Sequence, residues 1–238
     1  MVSKKKTLGI SHTELNDIKP ITDNQKEVFN SYNKGQNLFL YGVAGTGKTF
    51  VALYNALKDV LDPKSPRERV YIVRSLLPTR DIGFLPGDEE DKSYLYQVPY
   101  QNMVRFMFKQ PDERAFEQLY NNLRNQGTID FLSTSFLRGI TIDNGVIIVD
   151  ECQNLNFHEL DTIMTRVGQD TRIIFAGDIQ QTDLTKTNDR NGILDFVNIM
   201  QQMKEIECIE FDLNDIVRSG MLKSYLIEKI KLGLHYNE

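Results

Sequence analysis

Six short apolar runs punctuate the chain, and the hydrophobic residues between them change period. NLFLYG, RVYIVRSL, IDFLSTSFL, GVIIVDE, TRIIFAGD and IECIEFDL are near-continuous runs rich in β-branched and aromatic side chains. That is how strands buried on both faces read. The intervening segments have helical spacing. Phe116, Leu119, Tyr120 and Leu123 fall at i, i+3, i+4, i+7. Leu160, Ile163, Met164 and Val167 repeat that spacing, with Asn156 and Glu159 as an opening cap pair and Gly168 as a stop. TFVALYNAL and GILDFVNIMQQM read as helices, and so does the stretch carrying Leu222, Tyr225, Leu226 and Ile230. ITDNQKEVFNSYNKG reads as a short helix, with Thr22 as N-cap, Gln25 three residues later and Gly35 at the end.

Strands alternating with helices predict an α/β fold, a mostly parallel sheet covered by helices on both faces. No linker divides it, so residues 1–238 read as a single domain. Two stretches fall outside the pattern. Residues 1–15 read as a disordered N-terminal tail. Residues 76–102, rich in Pro and Gly and carrying the acidic run Asp88 to Asp91, read as a long surface excursion.

Composition narrows the partners. At 238 residues the chain can bury a core without disulfide or metal staples. Its net charge of −5 means that attraction to nucleic acid would need a local basic surface. Cys152 and Cys208 have no CxxC partners, so neither a zinc site nor a disulfide framework is expected. The basic start is followed by no apolar stretch and no run is long enough to span a membrane, so a cytoplasmic setting is expected.

The chemistry begins at YGVAGTGKTF. Gly42, four residues, then Gly47-Lys48-Thr49 is the spacing of a phosphate-binding loop between a strand and a helix. Gly42, Gly45 and Gly47 let the backbone turn and aim N–H groups at phosphate oxygens, and Val43, Ala44 and Thr46 complete the cradle. Lys48 is placed to reach the β- and γ-phosphates, and Thr49 to offer a hydroxyl to Mg²⁺. GVIIVDECQN puts two carboxylates at a strand's C-terminal end, where ligands bind in open α/β sheets. Asp150 would hold Mg²⁺ through water and Glu151 would activate the attacking water. Such a pair is elsewhere a solvated turn or cap, but after a phosphate loop it points to ATP hydrolysis. No Asn-Lys-x-Asp guanine reader is present, and small-molecule kinases rarely need the adjacent glutamate. FAGDIQQTDL is a third strand end, where Gln181 can sense the γ-phosphate or simply sit in a turn.

GVAGTGKT, FLRGITIDNGVIIVDECQN, GDIQQTDL and IGFLPGDEEDK together resemble the PhoH family, P-loop ATPases similar to the first motor core of superfamily 1 helicases. The resemblance runs from about Gln25 to Arg218. It implies that Gln25 reads the adenine edge, that residues 42–49 hold the phosphates, that Asp150 and Glu151 do metal and water chemistry, and that Gln181 senses phosphate. DIVRS resembles the family's Asp-Val-Val-Arg segment and makes Arg218 a candidate arginine finger. Arg138 and Gly139 match an Arg-Gly step, and Arg74 matches an arginine after the second strand. On the residues alone, Gln25 is equally a capping residue and Arg218 a partner for a surface carboxylate.

The resemblance implies ATP and Mg²⁺ as ligands, and RNA or single-stranded DNA as partner. With no second motor core to supply an arginine, Arg218 is expected from a neighbouring copy in a ring, such as a hexamer, or from the chain's own C-terminal segment. The aromatic stretch SYLYQVPYQNMVRFMFK could stack bases beside Arg105 and Lys109, or could be core. The competing function is a nucleotide-dependent switch that holds a protein partner; a small-molecule kinase is a third.

Overall fold

The computed structural model describes residues 9–74, 89–134, 136–179 and 187–232, with residues 89–95, 187–191 and 230 as backbone only. The elements run α1 (Asp23–Asn33), β1 (Asn37–Gly42), α2 (Lys48–Val60), β2 (Arg69–Arg74), α3 (Glu89–Met107), α4 (Glu113–Asn125) and β3 (Ile129–Leu132). They continue with β4 (Gly145–Asp150), α5 (Phe157–Met164), β5 (Arg172–Gly177), α6 (Thr187–Gln202), β6 (Ile206–Phe211) and α7 (Gly220–Lys231).

The six strands form one sheet in the order β3-β2-β4-β5-β1-β6, and every pairing is parallel. Because strand side chains alternate, each strand supplies both faces. Leu38 and Leu40 of β1, Val70 and Ile72 of β2, and Val146 and Ile148 of β4 face the core packed by α1 to α4. Phe39, Val73, Ile147 and Val149 face the opposite core, under α5 and α6. The double burial explains why the strands read as unbroken apolar runs.

Helix ends follow the local chemistry. Asp112 caps α4 by accepting from the Ala115 N–H at 2.8 Å, and the buried residues of α4 are Phe116, Leu119, Tyr120 and Leu123. Asn156 and Glu159 form a reciprocal capping box on α5. That helix stops at Met164 rather than Gly168, because the chain turns at Thr165 and Val167 bridges to Ile142. The third strand stops at Leu132; past it the chain leaves the sheet edge and buries Leu137 under the other face.

Both expected outliers are corrected where the described residues reach them. Residues 1–8 lie outside the described residues, but Ile10 and Leu15 are buried in the core. The backbone at Glu14 and Asn16 is hydrogen-bonded to Lys109 and Met107. Of residues 76–102, those to 88 lie outside the described residues, whereas 89–102 belong to helix α3. Tyr100, Val104 and Met107 of that helix are buried, as is Phe108 just past its end. Pro and a run of acids had masked an apolar stripe that packs against α2 and α4.

At the sheet edge opposite the strand C-termini, Asp59 gathers three donors: Arg67 Nε and Tyr32 Oη on Oδ2 at 2.6 and 2.7 Å, and Ser65 Oγ on Oδ1 at 2.6 Å. Burial opposes its ionisation, but the hydrogen bonds from Arg67, Ser65 and Tyr32 outweigh burial and hold its pKa below the ordinary value. A depressed carboxylate stabilises the fold above its unfolded pKa of about 4, and that contribution is lost as pH falls through the folded value. Asp59→Ala, which strands a nearly buried guanidinium, is expected to cost about 3 kcal/mol in urea denaturation at pH 7. The gap to wild type should narrow below about pH 4.

Candidate functional site

Register brings the chemistry to one edge. Arg74 pairs with Asp150 between β2 and β4, Asp150 with Ala176 between β4 and β5, Tyr41 with Gly177 between β5 and β1, and Gly42 with Phe211 between β1 and β6. The C-terminal ends of β2, β4 and β5 and the loop after β1 thus meet at a cleft of about 1000 Å³ lined by residues 44–51, Arg74, Asp150, Glu151, Asp178 and Arg218.

The loop between β1 and α2 is folded as a cradle. Gly42, Gly45 and Gly47 all have positive φ, at 112°, 78° and 84°. At Gly42 a Cβ would sit 2.1 Å from the Phe211 carbonyl oxygen, so only glycine lets β1 turn beside β6. Gly47 is the N-cap of α2, which directs the positive end of that helix into the cleft. Lys48 is buried, and its ammonium donates to the carbonyls of Gly42 and Val43 at 2.8 Å each. Burial lowers its pKa, and the negative charges of Asp178, Glu151 and Asp150 resist that.

Across the cleft, Asp150 is buried. Thr49 Oγ1 donates to its Oδ1 at 2.7 Å, and Tyr100 Oη donates to its Oδ2 at 2.6 Å. Burial and the neighbouring Glu151 raise the Asp150 pKa, against the hydrogen bonds from Tyr100 and Thr49. Thr49 and Asp150 thus offer two hard oxygens side by side. Among the described residues no cluster of three or more His, Cys, Asp or Glu could hold a metal alone. Two protein oxygens suit Mg²⁺, which keeps waters and takes its remaining ligands from phosphates.

Glu151 sits in the left-handed region at φ 52°, ψ 42°. For a glutamate that conformation costs on the order of 1–3 kcal/mol, and such strain clusters at functional positions. It points the chain sharply out of β4. Gln153 Nε2 holds the Glu151 carboxylate at 2.6 Å, while its Oε1 accepts from the Asp178 N–H at 3.1 Å.

Gln25 is buried against the loop: its Nε2 donates to the Thr46 carbonyl and its Oε1 accepts from the Ile21 N–H, both at 3.0 Å. Its amide therefore braces the cradle, and it does not close a box on the Thr22 N–H. Arg218 lies against the loop of its own chain. The Val217 N–H donates to the Gly45 carbonyl at 3.2 Å, and a Cβ on Gly45 would approach Arg218 Cγ to 3.2 Å. The expectation of a ring drew on the lack of a second motor core, with the chain's own C-terminal segment as the alternative source of the arginine; in the single chain Arg218 lines its own cleft. Gln181 lies outside the described residues. In the aromatic stretch Tyr100, Met107 and Phe108 are core, and Phe106 stays exposed. Sequence reasoning missed Tyr100 and Gln153. The one available signal for Gln153 was its place two residues after Glu151.

A glycine-rich loop between β1 and α2, with an acidic strand end two strands away, defines a P-loop NTPase fold. The large terminase of a thermophilic bacteriophage, solved in complex with ADP, superposes with a TM-score of 0.50 at 12% identity, over 87% of this chain and 49% of that one. The family model for PhoH-like proteins matches residues 17–229, and the chain belongs to that family. It is 35% identical to Protein PhoH2 of Bacillus subtilis over 66% of this chain and 35% of that protein. It is 29% identical to the PhoH-like protein of Mycobacterium leprae over 91% and 59% respectively. The chain thus spans about one third to three fifths of the length of these relatives.

Two substitutions should move stability in opposite directions. Glu151→Asn suits a left-handed residue and removes the charge beside Asp150, so it is expected to raise the unfolding free energy by about 1 kcal/mol. Gly42→Ala should lower it by about 3 kcal/mol. Guanidinium denaturation followed by circular dichroism measures both.

Proposed function

We propose that the chain binds ATP with Mg²⁺ and hydrolyses it, and that single-stranded nucleic acid, RNA or DNA, is its polymeric partner. The observation that carries the first half is the 2.7 Å hydrogen bond from Thr49 to Asp150, which ties the phosphate cradle to the acidic strand end. The ADP complex of the phage terminase, a protein with the same fold, supports nucleotide as the ligand class.

In this reading the N–H groups of residues 43–49 and the start of α2 bind the phosphates. Lys48 exchanges two loop carbonyls for phosphate oxygens, so its buried ammonium gains charged acceptors in place of neutral ones. Thr49 and Asp150 would hold Mg²⁺, which would supply neutralisation of the charge on the transferring phosphoryl group. Glu151 orients the attacking water and accepts its proton at a carboxylate oxygen. Its contact with Gln153 and its fixed backbone turn keep it aimed. Arg218, already beside Gly45, stabilises charge from its own chain, a contribution worth roughly 10³- to 10⁵-fold in related sites. Gln25 keeps the loop in shape and adjoins the base end. Gln181 is the proposed phosphate sensor.

A basic, aromatic surface favours nucleic acid over a protein partner. A second cleft of about 360 Å³ is lined by Arg138, Gly139, His158, Thr162 and Arg166. Among the described residues neither arginine nor His158 is in a salt bridge. On the same two segments Phe136 is 73% exposed and Phe157 38%. Cations hold a phosphodiester backbone and rings stack unpaired bases.

Phosphate release from ATP tests both halves. Lys48→Ala should abolish it. Single-stranded RNA or DNA should raise the wild-type rate, and duplex should do so less. Arg138→Glu should raise the half-saturating polymer concentration about tenfold, with the basal rate kept and a shallower dependence on salt than wild type. A rate indifferent to every polymer would favour the switch, and phosphate transferred to an acceptor would favour a kinase.

A further inference from the structure

Asp150 is held by two hydroxyls that reach it from different parts of the fold. Thr49 comes from the cradle and Tyr100 from α3, fifty positions earlier in the chain than Asp150. The Tyr100 ring is 2% exposed and meets Phe131 edge-on, with centroids 5.4 Å apart. Core packing therefore delivers its hydroxyl, and Asp150 is the acceptor that hydroxyl meets among the described residues. One turn earlier on the same helix face, the Tyr96 ring lies beneath the Arg74 guanidinium at 6.0 Å. Arg74 is the β2 partner of Asp150 in the sheet register. Helix α3 thus brings tyrosines at i and i+4 onto two charged strand ends that face the cleft.

The two donors to Asp150 differ in what else they must do. Thr49 is itself the hydroxyl that would face a nucleotide-bound cation. Tyr100 lines the cleft and spends its hydroxyl on Asp150, and its buried ring cannot swing away without opening the core. A ligating carboxylate keeps its aim through hydrogen bonds from groups behind it.

We propose that Tyr100 is a positioning residue, whose hydroxyl fixes the Asp150 carboxylate in the orientation that holds a nucleotide-bound divalent cation. The role rests on the ATP–Mg²⁺ reading above. It also makes α3 part of the nucleotide site, so that a shift of this helix is felt at the carboxylate.

A core filler and a positioning residue part company at one oxygen atom. Phenylalanine fills the same space without the hydroxyl, and leucine lacks both hydroxyl and ring. The test is Mn²⁺ binding to the full chain in the presence of ADP, read by the loss of free Mn²⁺ signal in electron paramagnetic resonance. ADP binding without metal and guanidinium unfolding are the companions. Tyr100→Phe should weaken Mn²⁺ binding about tenfold, while metal-free ADP affinity stays within about twofold and the unfolding midpoint moves little. Tyr100→Leu should lose Mn²⁺ to the same degree and lose stability as well. If Tyr100→Phe binds Mn²⁺ like wild type and only Tyr100→Leu is weakened, the positioning role is overturned. If wild type with ADP takes up no Mn²⁺, the parent reading falls and this one with it, a result distinct from the first.

Discussion

A buried ammonium is the constraint around which this site is arranged. Lys48 is nearly out of water, and its charge is met by two carbonyls of its own loop. Taking an ammonium out of water is costly, and neutral carbonyls repay that only in part. The three carboxylates of Asp150, Glu151 and Asp178 help keep it charged, yet its hydrogen bonds among the described residues go to neutral oxygens. A polyanion is the class of ligand that would satisfy the lysine, the inward amides and the helix end together. The triphosphate of the proposed nucleotide would meet all three demands.

The fold supplies that arrangement through register. A parallel sheet sends every strand C-terminus to one edge, so residues over a hundred positions apart meet without a dedicated scaffold. Double burial then fixes the strands, because a slip of one residue would turn Phe39 or Ile148 toward the wrong core. The cost of precision is local. Gly42 is locked against Phe211, and Glu151 is held in a conformation that glutamate disfavours. Both distortions lie where a strand must end abruptly and present a group to the cleft.

Much of this was legible in the sequence. The strands β1, β4, β5 and β6, the buried face of α4 and the capping box of α5 follow from periodicity and cap chemistry, which are local. The cradle and the acidic pair are local as well. The unreadable parts depend on distant contacts. Residues 89–102 looked like surface because Pro99 and the acids dominate the local signal, whereas burial of Tyr100 is decided by Phe131 and Asp150. Leu15 is buried where it bridges to Phe108 just past α3, and Ile10 packs into the same core. The position of Arg218 depends on how the segment after β6 returns to Gly45, and no spacing rule encodes that. Glu151 could be named as an acid but not as a strained one.

In the proposed hydrolysis Glu151 serves a water molecule at a triphosphate. Glu151→Gln isolates that step, because the change keeps size and hydrogen bonding while removing the proton acceptor. The deciding measurement is single-turnover phosphate release alongside ATP binding, on wild type and Glu151→Gln. Unchanged ATP affinity is predicted, with release slowed by about 10² or more. Release at the wild-type rate would contradict the claim.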